Sequence, residues 1–101
     1  MQWKWILMSY KLKFIPTALK EWEKLDNSIR KQFKSKLLDR IEAPHVPSSR
    51  LSGFDNHYKI KLRASGYRLV YEVIEEEIVI LVIAVGKRDK AAVYKKTRKR
   101  T

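Results

Sequence analysis

From Tyr58 to Tyr71 the chain alternates apolar and cationic positions, first as Tyr58-Lys59-Ile60-Lys61-Leu62-Arg63 and then as Ser65-Gly66-Tyr67-Arg68-Leu69-Val70-Tyr71. Successive strand side chains point to opposite faces, so Tyr58, Ile60 and Leu62 go one way while Lys59, Lys61 and Arg63 go the other. With Ala64, Ser65 and Gly66 in the turn, the segment predicts a β-hairpin that pairs Ile60 with Leu69 and Lys61 with Arg68. Lys59, Lys61 and Arg68 then converge on one patch, although like charges directly opposite each other destabilise a sheet. A sheet that carries this cost points to a polyanionic partner.

The remaining pattern predicts what covers the apolar face. Tyr10 to Phe14 alternates around Lys11 and Lys13 and reads as a first strand. Pro16 suits the first turn of a helix, where its missing N–H costs nothing. Ala18, Leu19, Trp22 and Leu25 recur at helical spacing, with Lys20, Glu21, Glu23 and Lys24 expected in water. Asp26-Asn27-Ser28 supplies a stop and the next N-cap. A second helix from Ile29 places Phe33, Leu37 and Ile41 on one stripe and ends before Pro44 and Pro47. Beyond a Pro/Ser/Gly-rich connection from Pro44 to Gly53, Tyr67 to Ile74 reads as a strand and Glu75-Glu76-Glu77 as a solvated hairpin tip. Ile78 to Val85 reads as a central strand buried on both faces. After Gly86 the chain turns basic and predicts a short helix carrying Ala91, Val93 and Tyr94. The expected fold class is α+β: a helical hairpin packed on a mainly antiparallel four-stranded sheet, with a short C-terminal helix.

Charge and composition sharpen the partner. Lys and Arg number 23 against 11 acidic residues, a formal charge of +12, which favours nucleic acid or another acidic partner through counterion release and steering. With no Cys, disulfides and thiolate metal sites are excluded and a reducing cytoplasm is permitted. No apolar run approaches the roughly 18 residues of a membrane-spanning helix, so no membrane partner is expected. The stretch Met1 to Leu7 has too short an apolar part for a secretory signal. Residues 1–8 therefore read as an N-terminal extension, with Met8 the favoured start, and 9–101 as one domain. His45 sits between prolines and reads as a surface loop residue. His57 adjoins the cationic strand and reads as an RNA contact before it reads as a catalyst. Two histidines and an acidic turn make no ligand set, so neither metal nor cofactor is expected.

The order strand, helical hairpin, Leu51-Ser52-Gly53, the two hairpin motifs, Val85-Gly86-Lys87-Arg88 and Val93-Tyr94, together with Ala18-Leu19-Lys20-Glu21-Trp22, closely resembles the RelE toxins of the RelE/ParE superfamily from about Tyr10 to Tyr94. The resemblance implies the toxin of a type II toxin–antitoxin pair, a ribosome-dependent endoribonuclease that cuts mRNA in the ribosomal A site and is neutralised by a RelB-like antitoxin, which contacts operator DNA. Carried over by position, it implies Tyr94 as general base, Arg88 as general acid, and Lys59, Lys61 and Arg68 as charge stabilisers. Free tyrosine titrates near pH ~10 and arginine hardly at all, so these roles need neighbouring cations and the substrate phosphate. Arg63, His57, Lys87, Lys90, Lys95 and Lys96 are the expected RNA and ribosome contacts. Lys90 stands where the family often has a second arginine and keeps the charge without the bidentate fork. Two alternatives share these features: a ParE-like gyrase poison on the same fold, and a noncatalytic RNA- or ribosome-binding module.

Overall fold

A computed structural model describes residues 9–87 and 92–101. The N-terminal extension 1–8 and the expected site residues Arg88 and Lys90 lie outside the described residues.

The chain runs β1 (Lys11–Phe14), α1 (Pro16–Glu23), α2 (Asn27–Glu42), a 3-10 turn (Pro47–Ser49), β2 (His57–Leu62), β3 (Tyr67–Ile74), a 3-10 turn (Glu75–Glu77), β4 (Val79–Lys87) and α3 (Ala92–Arg100). The sheet order is β1-β4-β3-β2, with β1 parallel to β4 and the other pairs antiparallel. Tyr58 to Leu62 pair with Tyr71 to Tyr67 in the expected register, Ile60 opposite Leu69 and Lys61 opposite Arg68. Gly66 has φ +80, a conformation a glycine reaches without a Cβ clash, and its N–H donates to Leu62 O at 2.8 Å to close the turn.

The helical hairpin covers the apolar face. Ala18, Leu25, Ile29, Phe33 and Leu37 pack against Ile60, Leu62, Leu69, Tyr71, Val73 and Ile80. Trp22 lies between the two layers, its ring 5.2 Å from Phe14 and 6.3 Å from Phe33. Leu19, expected on the same stripe, is 41% exposed instead, because the eight-residue α1 turns only a narrow face to the sheet. The fully buried Tyr71 ties the layers together: its hydroxyl donates to Pro44 O at 2.7 Å and accepts from Arg40 Nη1 at 2.8 Å. Burial pushes its pKa up, and the Arg40 guanidinium offsets part of that rise.

β4 is buried on both faces, as its apolar run predicts, but begins at Val79 and continues to Lys87. Ile78 belongs to the turn, with φ 55, an unusual conformation for a β-branched residue. The pairing of β3 with β4 shifts between Val70 and Tyr71, leaving Ile83 as an extra residue on β4. Without that bulge Val82 and Ala84 would share a face. With it, Val82 and Val85 join the large core, whereas Ala84 joins a second cluster of Leu51, Val70 and Val93. α3 sits on that second cluster.

Candidate functional site

The outward face of the sheet is organised in cross-strand rows. One row runs Lys59, Val70, Ala84 and the next Lys61, Arg68, Gly86, from β2 through β3 to β4. The apolar ends of these rows seat α3, and Gly86 permits the close approach: a Cβ there would lie 3.2 Å from Val93 Cγ2 and 3.3 Å from Lys96 Nζ. The cationic ends stay open, with Lys61 exposed and Lys59 and Arg68 half-buried. α3 brings Tyr94 onto this edge. Arg68 Nη1 donates to the Tyr94 hydroxyl at 2.8 Å, and the guanidinium carbon stands 5.8 Å from the ring centre. Four of the five residues singled out by resemblance therefore converge, drawn from β2, β3 and α3.

Two adjoining cavities extend the cationic edge. One, of about 320 Å³, is lined by Lys61, Leu62, Arg63, Gly66 and Arg68. The other, of about 310 Å³, runs between α2 and β2 past Lys36, Arg40, Ser48, Ser49, Lys59, Ile60, Lys61 and Arg63. Lys61 and Arg63 border both, and among the described residues no carboxylate lines either. Arg40 is held by Tyr71 and by Ser49 Oγ at 3.1 Å. The sequence pattern missed Lys36, Arg40 and Ser49, because a lysine or arginine on a helix reads as a solvated face until the helix is docked.

Several expected contacts occupy other places. His57 is only 4% exposed, its Nδ1 is 2.6 Å from Asp55 O, and its ring centre is 5.2 Å from Phe54, so it offers no surface to RNA. It falls at the start of β2 on the same face as Lys59 and Lys61, where the loop before the strand folds Phe54 over it. Its Nε2 has no hydrogen-bond partner among the described residues. Lys96 does not stand free either, since its Nζ pairs with Glu21 Oε2 at 2.8 Å. Lys95 is exposed on α3, Arg63 is exposed in the hairpin turn, and Lys87 Nζ lies 5.6 Å over the Tyr67 ring. His45 is in a loop and largely exposed, 3.5 Å from Glu75 Oε2. Glu75 also accepts from the Tyr10 hydroxyl at 2.7 Å, which pushes the Tyr10 pKa up to about 12. No group of three His, Cys, Asp or Glu side chains suited to a metal ion occurs among the described residues. No helix among them is long and apolar enough to cross a membrane.

Such a site is a cationic sheet edge with one tyrosine held over it by a helix, on a small basic domain. The family described as the ParE toxin of type II toxin–antitoxin systems, parDE, matches residues 12–92. The mRNA interferase toxin RelE of Escherichia coli strain K12 is 50% identical over 93 residues, 92% of this chain and 98% of that protein. The free-state structure of a doubly substituted E. coli toxin RelE superposes with a TM-score of 0.85 at 49% identity, covering 91% of this chain and 97% of that one. In the intact E. coli RelBE toxin–antitoxin complex, a chain 51% identical superposes with a TM-score of 0.77 over 79% of this chain and 98% of that one. The chain belongs to the RelE-like toxins of type II toxin–antitoxin systems.

Proposed function

We propose that this toxin is a ribosome-dependent endoribonuclease that cuts mRNA in the ribosomal A site and so stops translation. The observation that carries the reading is the Tyr94 hydroxyl held 2.8 Å from Arg68 Nη1 at the end of the Lys61–Arg68 row. The 50% identity to a protein named an mRNA interferase supports the same substrate class.

Cleaving RNA through its own 2′-hydroxyl needs a base for that proton, positive charge around the crowded phosphorane, and an acid for the departing oxygen. In this reading Tyr94 takes the 2′-hydroxyl proton and the 2′-oxygen attacks the adjacent phosphorus. The bond from phosphorus to the 5′-oxygen breaks, and Arg88 delivers the proton to that oxygen. The products are a 2′,3′-cyclic phosphate and a 5′-hydroxyl. Lys59, Lys61 and Arg68 stabilise the charge that develops on the phosphorane oxygens, and Arg68 also orients the phenol. Arg63, Lys87, Lys90 and Lys95 contact flanking phosphates, and the groove past Lys36 prolongs that track.

The partner is a RelB-like antitoxin, by analogy with the solved E. coli complex, and an acidic or amphipathic wrapping segment suits the basic edge. Operator DNA is contacted through the antitoxin, and the site of action is the cytoplasm. Residues 9–101 form the toxin domain, with 1–8 an extension.

The test is labelled mRNA incubated with the toxin, free and on programmed 70S ribosomes with an empty A site. Wild-type protein cuts only the ribosomal sample, within the A-site codon. Tyr94→Phe slows that cut by about 10²- to 10⁴-fold while ribosome binding holds. Equal rates overturn the role of Tyr94. A toxic protein that cuts neither sample favours gyrase as the target, the reading for which the ParE description of the family speaks.

A further inference from the structure

β1 ends at Phe14 opposite Val82, and the chain leaves the sheet into α1 at Pro16, so the β4 edge beyond Val82 has no strand partner on that side among the described residues. Unpaired strand N–H and C=O groups need partners when they are covered. Side chains from two helices supply them. Val85 N–H donates to Glu21 Oε1 at 3.1 Å, Ile83 O accepts from Arg100 Nη1 at 2.8 Å, and Val85 O accepts from Lys96 Nζ at 3.5 Å. The same Glu21 carboxylate accepts from Lys96 Nζ at 2.8 Å and from Arg100 Nη1 and Nη2 at 3.0 and 3.1 Å. A bidentate guanidinium–carboxylate pair fixes orientation as well as distance. The carboxylate is half-buried, and the α1 position that holds it reads from sequence as one of the wet-side charges.

α3 is therefore fastened at two ends. Near its start Val93 packs over Gly86 and Tyr94 meets Arg68. At its end Arg100 and Lys96 meet Glu21. Between these ends Val93 and the fully buried Thr97 face the sheet, and the Arg98 guanidinium lies over the Phe54 ring.

We propose that Glu21 is a positioning residue for Tyr94: by clasping Lys96 and Arg100 along the open edge of β4, it sets the axis and rotation of α3 and so the place of the phenol oxygen over Arg68. The proposal rests on the reading of Tyr94 as the base. Glu21 touches no substrate and acts only through α3.

The test compares wild type, Glu21→Gln, Tyr94→Phe, Arg100→Ala and the doubles Glu21→Gln/Arg100→Ala and Glu21→Gln/Tyr94→Phe. Readouts are the single-turnover cut on programmed ribosomes, the half-saturating ribosome concentration, and hydrogen exchange of α3 and sheet amides. Glu21→Gln keeps an acceptor for Val85 N–H and loses the charge that holds Arg100. It should slow the cut by about 10- to 100-fold, since a displacement near 1 Å costs about that much. Half-saturation should stay within about 2-fold, and α3 amides should exchange faster while β2–β4 amides do not. The double with Arg100→Ala should lose no more than either single variant, the non-additivity of groups in one network. In the Tyr94→Phe background Glu21→Gln should add almost no further loss. An unchanged cut with Glu21→Gln overturns the positioning role, as does sheet exchange that accelerates together with α3, which marks a merely structural residue. A full Glu21→Gln loss that persists on top of Tyr94→Phe overturns it as well. If Tyr94→Phe itself cuts at the wild-type rate, the role of Tyr94 fails, and α3 exchange still decides whether Glu21 holds the helix.

Discussion

On one face of the sheet α1 and α2 bury Ala18, Leu25, Ile29, Phe33 and Leu37 against Ile60, Leu69, Tyr71 and Ile80. On the other, α3 brings Val93 to a small cluster of Leu51, Val70 and Ala84, flanked by half-buried Phe54 and Tyr94. The first face is held by apolar area removed from water, which contributes about 25 cal/mol per Å² and depends little on the angle of any one group. The second is held by directional contacts: Glu21 with Arg100 and Lys96, Arg68 with Tyr94, and the Arg98 guanidinium 4.9 Å over the Phe54 ring. Such contacts are worth little individually near the surface but specify geometry closely. The large core thus supports the sheet, and the thin layer places Tyr94 on it. Parts of a molecule with few buried apolar contacts are those that open locally at low free energy.

The largest effect is expected in the large core. Phe33 is fully buried, so Phe33→Ala should cost about 3–5 kcal/mol of unfolding free energy in urea titration and remove protection from sheet and α3 together. A loss below about 1 kcal/mol would mean that the helical hairpin is not what stabilises the fold. A smaller effect is expected at Gly86. In Gly86→Ala the new methyl would sit 3.2 Å from Val93 Cγ2 and 3.3 Å from Lys96 Nζ, so these two α3 side chains must give by a few tenths of an ångström while the sheet stays paired. Exchange of α3 amides should rise and the ribosomal cut should slow severalfold, with the urea midpoint moved by about 1 kcal/mol or less. Global unfolding would place α3 in the same cooperative unit as the core.

The smallest effect is one of pH. Burial pushes the Glu21 carboxyl up, but the hydrogen bonds from Arg100, Lys96 and Val85 N–H outweigh it and leave the pKa below the usual glutamate value. A group with a depressed folded pKa stabilises fully above its unfolded pKa, and that contribution is lost as pH falls through the folded value. Protonation leaves Arg100 and Lys96, the two cations facing Glu21, without their counter-charge. Hydrogen exchange followed from about pH 6 to pH 3 should show α3 releasing before the sheet. Release that tracks the whole domain would dissolve the distinction between the two faces.

Much of the fold was legible along the chain because it rests on local periodicity. The alternation from Tyr58 to Tyr71 specifies the hairpin register, since a slip by one residue would turn Ile60 and Leu69 into water. The helical hairpin, the acidic tip and the doubly buried β4 follow from the same kind of pattern. Local patterns were silent wherever a side chain's partner lies far along the chain. Residue 57 looked like a cation-face neighbour and is folded under the loop beside Phe54; Lys96 looked free and is paired across 75 residues with Glu21. Period and composition act over a few residues, and they were enough to specify the strands, the helices, the register of the β2–β3 hairpin, a net charge of +12 and the alignment of Lys59, Lys61 and Arg68 on one sheet face. Only the tertiary structure decided that β1 stops short of the end of β4, that Glu21 fills the gap, and that Tyr94 reaches Arg68, because each depends on where a helix docks against an edge that no local period encodes.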